Sequence, residues 1–272
     1  MSRWVVVKVG GGVAEDPIAL GSIIEDLKDL VASDVKVALM HGGGPQATRL
    51  TGALGHETRM VGGRRVTDAP TLEVMKMVLG GQVATDMLSM CRKKGLRAVH
   101  VSGVADAVIV ATKRPPRIVS GGGDAPVDFG FVGDIESVNT DLIKGIGSLG
   151  VVPVMNSLGA DAEGEVLNIN ADIAATRLAV ALQAEALFLL TGAPGVLKDP
   201  NDWDSRISKL SRNESAQYIQ EGVIGGGMIP KLEESFNAIE LGLGRIHILL
   251  AGTPGGIRKE WDSPGSVGTV LV

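Results

Sequence analysis

A chain of 272 residues with 44% hydrophobic content can bury one large or two modest cores, which excludes a disordered polymer. Its 26 Lys+Arg against 31 Asp+Glu give a net charge of −5, and aromatics make up only 3%, a balance that argues against a general nucleic-acid binder with a basic surface and stacking platforms. One cysteine, Cys91, excludes an intrachain disulfide and points to a reducing compartment.

The N-terminal residues lead into a short strand rather than a leader, and no uninterrupted apolar window reaches membrane-spanning length, so a cytoplasmic location is expected. That strand is the run Trp4-Val5-Val6-Val7, whose β-branched residues suit burial on both faces. It runs into Lys8-Val9-Gly10-Gly11-Gly12. Three glycines let a turning backbone bring its N–H groups against a ligand and the lysine adds a cation, so Gly10 and Gly11 with Lys8 suit an anion, phosphate foremost. Taken alone, an incidental lysine beside a tight turn explains the same residues equally well.

Asp16-Pro17 reads as an N-cap followed by proline at the first helical position, with Leu20, Ile23, Ile24, Leu27 and Val31 at helical spacing. A second strand over 35–40 ends in His41-Gly42-Gly43-Gly44, and a helix follows over 45–54. This β-α-β-α alternation predicts parallel strands covered by helices, with ligands at their carboxyl ends. Gly42, Gly44 and Ala47 superficially match a dinucleotide fingerprint, but they follow the second strand and no strand ending in an acidic residue comes about twenty positions on. A P-loop pattern is absent.

Next come Arg64-Arg65-Val66-Thr67-Asp68, with Asp68 as a cap, and a long helix over 70–91. A solvated connector arginine is the ordinary outcome, although a guanidinium beside glycine-rich turns is well shaped to grip a carboxylate. After a strand over 98–102, the glycine- and proline-rich stretch 108–132 reads as an excursion of β-hairpins, either a lid over an acid substrate or a surface decoration. A helix over 140–149 and a strand over 151–154 resume the alternation. Asn168, Asn170 and Asp172 then alternate before a helix over 173–182, so one is expected to cap it while the others share one side of an extended segment and are free for chemistry.

A strand over 186–190, a loop over 191–200 and a helix over 214–220 lead to Gly225-Gly226-Gly227-Met228-Ile229-Pro230-Lys231 and a helix over 230–241. Lys231 in the first turn opposes the helix dipole unless an anion shares the site. Strands over 246–250 and 268–272 close the chain. The four histidines, His41, His56, His100 and His247, have no metal-ligand spacing and are read as structural.

Five segments in order, Lys8-Val-Gly-Gly-Gly, His41-Gly-Gly-Gly-Pro, Arg65-Val-Thr-Asp, Asn168-Ile-Asn-Ala-Asp172 and Gly227-Met-Ile-Pro-Lys231, resemble the amino acid kinase family over almost the whole chain. The resemblance implies a three-layer α-β-α sandwich around a mainly parallel sheet with a β-hairpin excursion. It implies an acid-substrate lobe over 1–183 and an ATP-binding lobe over 184–272. The activity implied is ATP- and Mg2+-dependent phosphorylation of the γ-carboxylate of N-acetyl-L-glutamate, in arginine biosynthesis. Lys8 and Lys231 resemble the lysines that stabilise the phosphoryl group in flight, and Asp172 the aspartate that orients both. Gly43 and Gly44 match the turn that receives the γ-carboxylate. Arg65, selected over Arg64 by the resemblance, and Asn168 match residues that hold the α-carboxylate and the acetamido end. Thr191 and Gly195 fall in the loop that would help hold ATP.

The chain departs from the family pattern at Ala105-Asp106-Ala107, where an Asp-Gly ending is usual, and at Gly192-Ala193, where Asp-Val is usual. The seven residues before Lys8 leave no room for the interlocking helix of arginine-inhibited hexamers, so an arginine-insensitive homodimer is expected. A kinase for carrier-borne α-aminoadipate and a catalytically silent ligand-binding member of the fold are the competing readings.

Overall fold

The computed structural model describes residues 3–119 and 122–272. In chain order, β1 (Trp4–Val9) is followed by the short α1 (Gly11–Ala14), α2 (Pro17–Ala32), β2 (Lys36–His41) and α3 (Gly44–Ala53). A hairpin of β3 (Met60–Val61) and β4 (Arg64–Arg65) leads to α4 (Ala69–Met77), a π turn Val78–Gln82 and α5 (Val83–Lys94). Then come β5 (Ala98–Val101), a 3-10 turn Ala105–Ala107, β6 (Ile109–Lys113), β7 (Gly133–Val138), α6 (Asp141–Ser148), β8 (Val152–Met155), β9 (Leu158–Ala160), β10 (Val166–Asn168) and α7 (Ala171–Ala181). The last third holds β11 (Ala186–Thr191), β12 (Lys209–Leu210), α8 (Arg212–Gln220), α9 (Met228–Glu240), β13 (Ile246–Leu250), α10 (Gly256–Asp262) and β14 (Thr269–Leu271).

Eight strands form one sheet in the order β12-β14-β13-β11-β1-β2-β8-β5, parallel except for β14 against β13. β1 is buried on both faces, and its residues divide by alternation. Trp4 and Val6 join a core with Ile143 of α6, Ala174 and Leu178 of α7, and Leu232 and Phe236 of α9. Val5, Val7 and Val9 join the opposite core with α2, α5 and Ile257 of α10. The expected three-layer α-β-α sandwich is therefore present. Lys8 shares the parity of Trp4 and Val6, so it is directed toward the layer that holds α7 and α9.

Several expectations need correction. The helix over 70–91 extends to Lys94 and is broken by the π turn. Gly80 and Gly81 weaken the helix there, and the inserted residue keeps both Val78 and Leu79 buried against Gly43, where an added Cβ would lie 2.7 Å from Leu79 Cδ2. The excursion does not end at 132, since β6 and β7 join β9 and β10 in a second sheet, ordered β10-β9-β6-β7. Of the three alternating polar residues only Asn168 is in a strand. Asn170 is the N-cap of α7, accepting from the amides of Asp172 (2.8 Å) and Ile173 (3.3 Å), and Asp172 is already helical. A good cap residue starts the helix two positions earlier than hydrophobic spacing suggested. Likewise α9 begins at Met228, which makes Lys231 its fourth residue rather than part of a turn opened by Pro230.

The departure at residues 105–107 has a backbone consequence. Asp106 and Ala107 both adopt φ 50°, the left-handed region that glycine occupies without cost. Ala107 is exposed, so replacing it loses little burial. Ala107→Gly is therefore expected to stabilise the protein by about 1 kcal/mol, read as a rise in the denaturant midpoint at constant m. A destabilised variant would show that the alanine methyl makes a contact worth more than the strain.

Candidate active site

The carboxyl ends of β2, β1 and β11 lie in register, with Val9 opposite both His41 and Leu190. Gly10, Gly42 and Thr191 therefore follow side by side along one edge of the sheet. From β1 the chain builds outward through β2 on one side and through β11 on the other, which makes this edge the topological switch point of the sheet, where α/β folds open a crevice.

The glycines of the two turns have different tasks. A Cβ on Gly11 would lie 2.7 Å from Gln46 Oε1, 2.9 Å from Pro45 Cδ and 3.0 Å from Gly43 Cα, so the first turn packs directly on the second. Gln46 Nε2 completes the contact by donating to the Gly11 carbonyl at 2.8 Å. Gly12 and Gly44 face open space, and the nearest neighbour of a Cβ on Gly10 would be Lys8 Nζ at 4.0 Å. Gly10 therefore presents its backbone beside the lysine.

Lys8 Nζ is 2.7 Å from Asp172 Oδ1, and Lys231 Nζ is 2.5 Å from Asp172 Oδ2. One carboxylate in the first turn of α7 thus lies between two ammonium groups, one delivered by a strand and one by α9. Burial pushes the Asp172 carboxyl up, but the charges of Lys8 and Lys231 outweigh it and hold the group at about 2. The Asp172 side chain is 29% exposed and those of the lysines 13% and 16%, so the surplus positive charge is poorly hydrated. Such a trio suits a multiply charged anion such as a phosphoryl group.

On the other side of the second glycine turn, Arg65 donates to the Gly44 carbonyl (3.0 Å), Thr48 Oγ1 (2.7 Å) and Thr58 Oγ1 (3.3 Å). Among the described residues it has no carboxylate partner, and burial lowers its pKa. A half-buried guanidinium held only by neutral acceptors is ready for an external carboxylate. Asn168, at the end of β10, donates from Nδ2 to Thr67 Oγ1 at 3.0 Å. His41, fully buried at the end of β2, is driven down to about 4 chiefly by burial and is neutral at pH 7.

Lys8, Asp172 and Lys231 come together in direct contact, and Arg65 lies against Gly44. Thr191 sits at the shared sheet edge, its hydroxyl donating to the Ala193 carbonyl at 2.9 Å. Gly195 is turned toward the core: at φ 154° a Cβ would meet Thr269 Oγ1 at 2.4 Å, and that hydroxyl accepts from Val196 N at 2.8 Å. Gln46 and Thr67 also belong to the site, although neither stood out in the sequence. Gln46 carried a usable signal, being polar on the buried side of α3. Thr67 lay inside a matched motif, but its partner is 101 residues away.

The model of the amino acid kinase family matches residues 3–250. Acetylglutamate kinase of Sorangium cellulosum is 46% identical over 267 residues, covering 98% of this chain and 94% of the relative. The enzyme of that name from Anaeromyxobacter dehalogenans is 46% identical with 99% of each chain covered, and that from Methanococcoides burtonii 36% identical with 98% and 88% covered. Among solved structures, N-acetylglutamate synthase from Neisseria gonorrhoeae complexed with coenzyme A and N-acetyl-glutamate superposes with a TM-score of 0.82 at 23% identity, over 100% of this chain and 59% of the other. Carbamate kinase from Giardia lamblia bound to AMP-PNP gives 0.68 at 17% identity, over 100% and 99%. Both share its fold.

Proposed function

The chain belongs to the amino acid kinase family, and from that premise we propose that it transfers the γ-phosphoryl group of ATP to the γ-carboxylate of N-acetyl-L-glutamate. The observation that carries the chemistry is the Lys8–Asp172–Lys231 trio. An oxygen of the acid attacks the γ-phosphorus, the bond to the bridging oxygen breaks, and ADP leaves with that electron pair. The acid is ionised at pH 7, so no side chain has to remove a proton. The barrier is electrostatic, because two anions must meet and charge spreads over the equatorial oxygens in the transition state. Lys8 and Lys231 offset that charge, and Asp172 fixes both ammonium groups. Gly43 and Gly44 offer backbone at the second glycine turn to the γ-carboxylate, Arg65 pairs with the α-carboxylate, and Asn168 takes the acetamido end. Gly10 and Gly11 lie on the phosphate side with Thr191 and Gly195, the last through its place in the loop rather than by direct approach.

Mg2+ supplies charge neutralisation on the nucleotide phosphates when bound. No trio of His, Cys, Asp or Glu side chains is spaced to hold a metal among the described residues, and Asp172 is already spanned by two lysines, so the ion fits as a companion of the phosphates. In this reading the acid-binding part (1–183) and the ATP-binding part (184–272) share the eight-stranded sheet and join where β1 pairs with β11. A homodimer belongs to this reading: the eight-stranded sheet ends at β5, an unpaired edge that a second copy would cover. A single-chain mass by light scattering would remove it. No helix among the described residues is long and apolar enough to cross a membrane, and a cytoplasmic location belongs to this reading with the single, buried cysteine.

Relatives at 36–46% identity over nearly the whole chain favour acetylglutamate over carrier-borne aminoadipate. The test is ADP release with ATP, Mg2+ and N-acetyl-L-glutamate. Turnover that depends on all three is expected, and ADP release that the acid does not increase would overturn the reading.

A further inference from the structure

The excursion and the matched motifs meet at one residue. Thr67 is fully buried between β4 and α4. Its amide donates to the Phe129 carbonyl at 2.9 Å, and its carbonyl accepts from Phe131 N at 2.7 Å. The approach is so close that a Cβ on Gly130 would lie 2.3 Å from the Thr67 oxygen, and Gly130 sits at φ 70°. On the other side of the same strand segment, Asn168 N donates to the Phe131 carbonyl at 2.9 Å, and Val132 bridges to Asn168 in parallel. Thr67 and Asn168 thus flank the excursion's returning segment. Their side chains meet through the bond from Asn168 Nδ2 to Thr67 Oγ1 at 3.0 Å.

In this arrangement Nδ2 is the end of the Asn168 amide that the threonine engages. With Nδ2 engaged by the threonine, the side chain presents Oδ1, which among the described residues accepts no hydrogen bond. An amide oxygen accepts from an N–H and repels a carboxylate. We propose that Thr67 is a positioning residue: its hydroxyl fixes the Asn168 amide so that Oδ1 meets the N–H of the substrate's acetamido group. The inference rests on the acetylglutamate reading above. It also gives the buried end of the excursion a definite task, because Phe129 and Phe131 hold Thr67 and Asn168 at a constant separation.

Thr67→Val keeps the shape and removes the acceptor, leaving the Asn168 amide free to rotate. The KM for N-acetyl-L-glutamate is expected to rise about five- to tenfold, the scale of one lost hydrogen bond, with kcat and the KM for ATP within twofold of wild type. Thr67→Ser restores the acceptor and should recover the wild-type KM. In an Asn168→Ala background the valine substitution should have no further effect on KM. A merely structural role would move the melting temperature and both KM values together and would survive in the Asn168→Ala background, and either result overturns the inference. So does an unchanged KM in a wild-type-active preparation of Thr67→Val. Absence of turnover by the wild type itself overturns the acetylglutamate reading and this inference with it.

Discussion

Lys8→Ala and Lys231→Ala are each expected to lower kcat by about a hundredfold or more at saturating ATP and acid, the scale of one lost transition-state charge contact. Each substitution leaves Asp172 with one ammonium partner, so the carboxylate stays compensated and the fold should persist. The lost cation matters most where negative charge is spread over the transferring group, which is why the effect belongs mainly in kcat rather than in KM. Arginine should not restore Lys8, because its longer, planar head would still pair with Asp172 but would place its donors differently from a compact ammonium. Coupled ADP release measures both variants. Turnover near that of the wild type in either would remove that lysine from the chemistry and would favour a ligand-binding protein that keeps the fold.

The sheet was legible in the sequence because its signal is local. Alternating burial of Trp4 to Val9, glycine turns directly after β1 and β2, and proline or acidic caps at α2 and α4 each follow from neighbouring residues. What escaped was set by distant contacts. The π turn exists because Val78 and Leu79 must both press on Gly43, which helical periodicity does not encode. The two-residue β12 pairs with β14, some sixty positions away, and carries no pattern of its own. At the site, Lys8 and Lys231 were legible as cations placed beside glycines, one of them against a helix dipole. Their common partner was harder to read. Alternation suggested that Asp172 points out of an extended segment, whereas the Asn170 cap turns the chain into α7 first. Helical geometry, not strand geometry, delivers the carboxylate between the two lysines.

Asp172→Asn tests that delivery, with consequences for both activity and acid stability. The neutral isostere leaves two ammonium groups facing each other without the charge that holds them, so the lysines should part and kcat should fall by at least about tenfold. The acid dependence follows from the depressed carboxyl. Its folded pKa, about 2, lies below the ordinary 3.8, so the charged form is favoured in the native state. The resulting stabilisation is present above the unfolded value and is lost as pH falls from about 4 toward 2. For a shift of this size it is on the order of 2 kcal/mol. Wild-type protein should therefore lose stability across that window beyond what its other carboxylates cause, and Asp172→Asn should show a correspondingly shallower decline in denaturant midpoint between the same two pH values. Parallel declines in the two proteins would mean that the lysines do not hold this carboxylate in its charged form. A variant with undiminished turnover would mean that their positions do not depend on it.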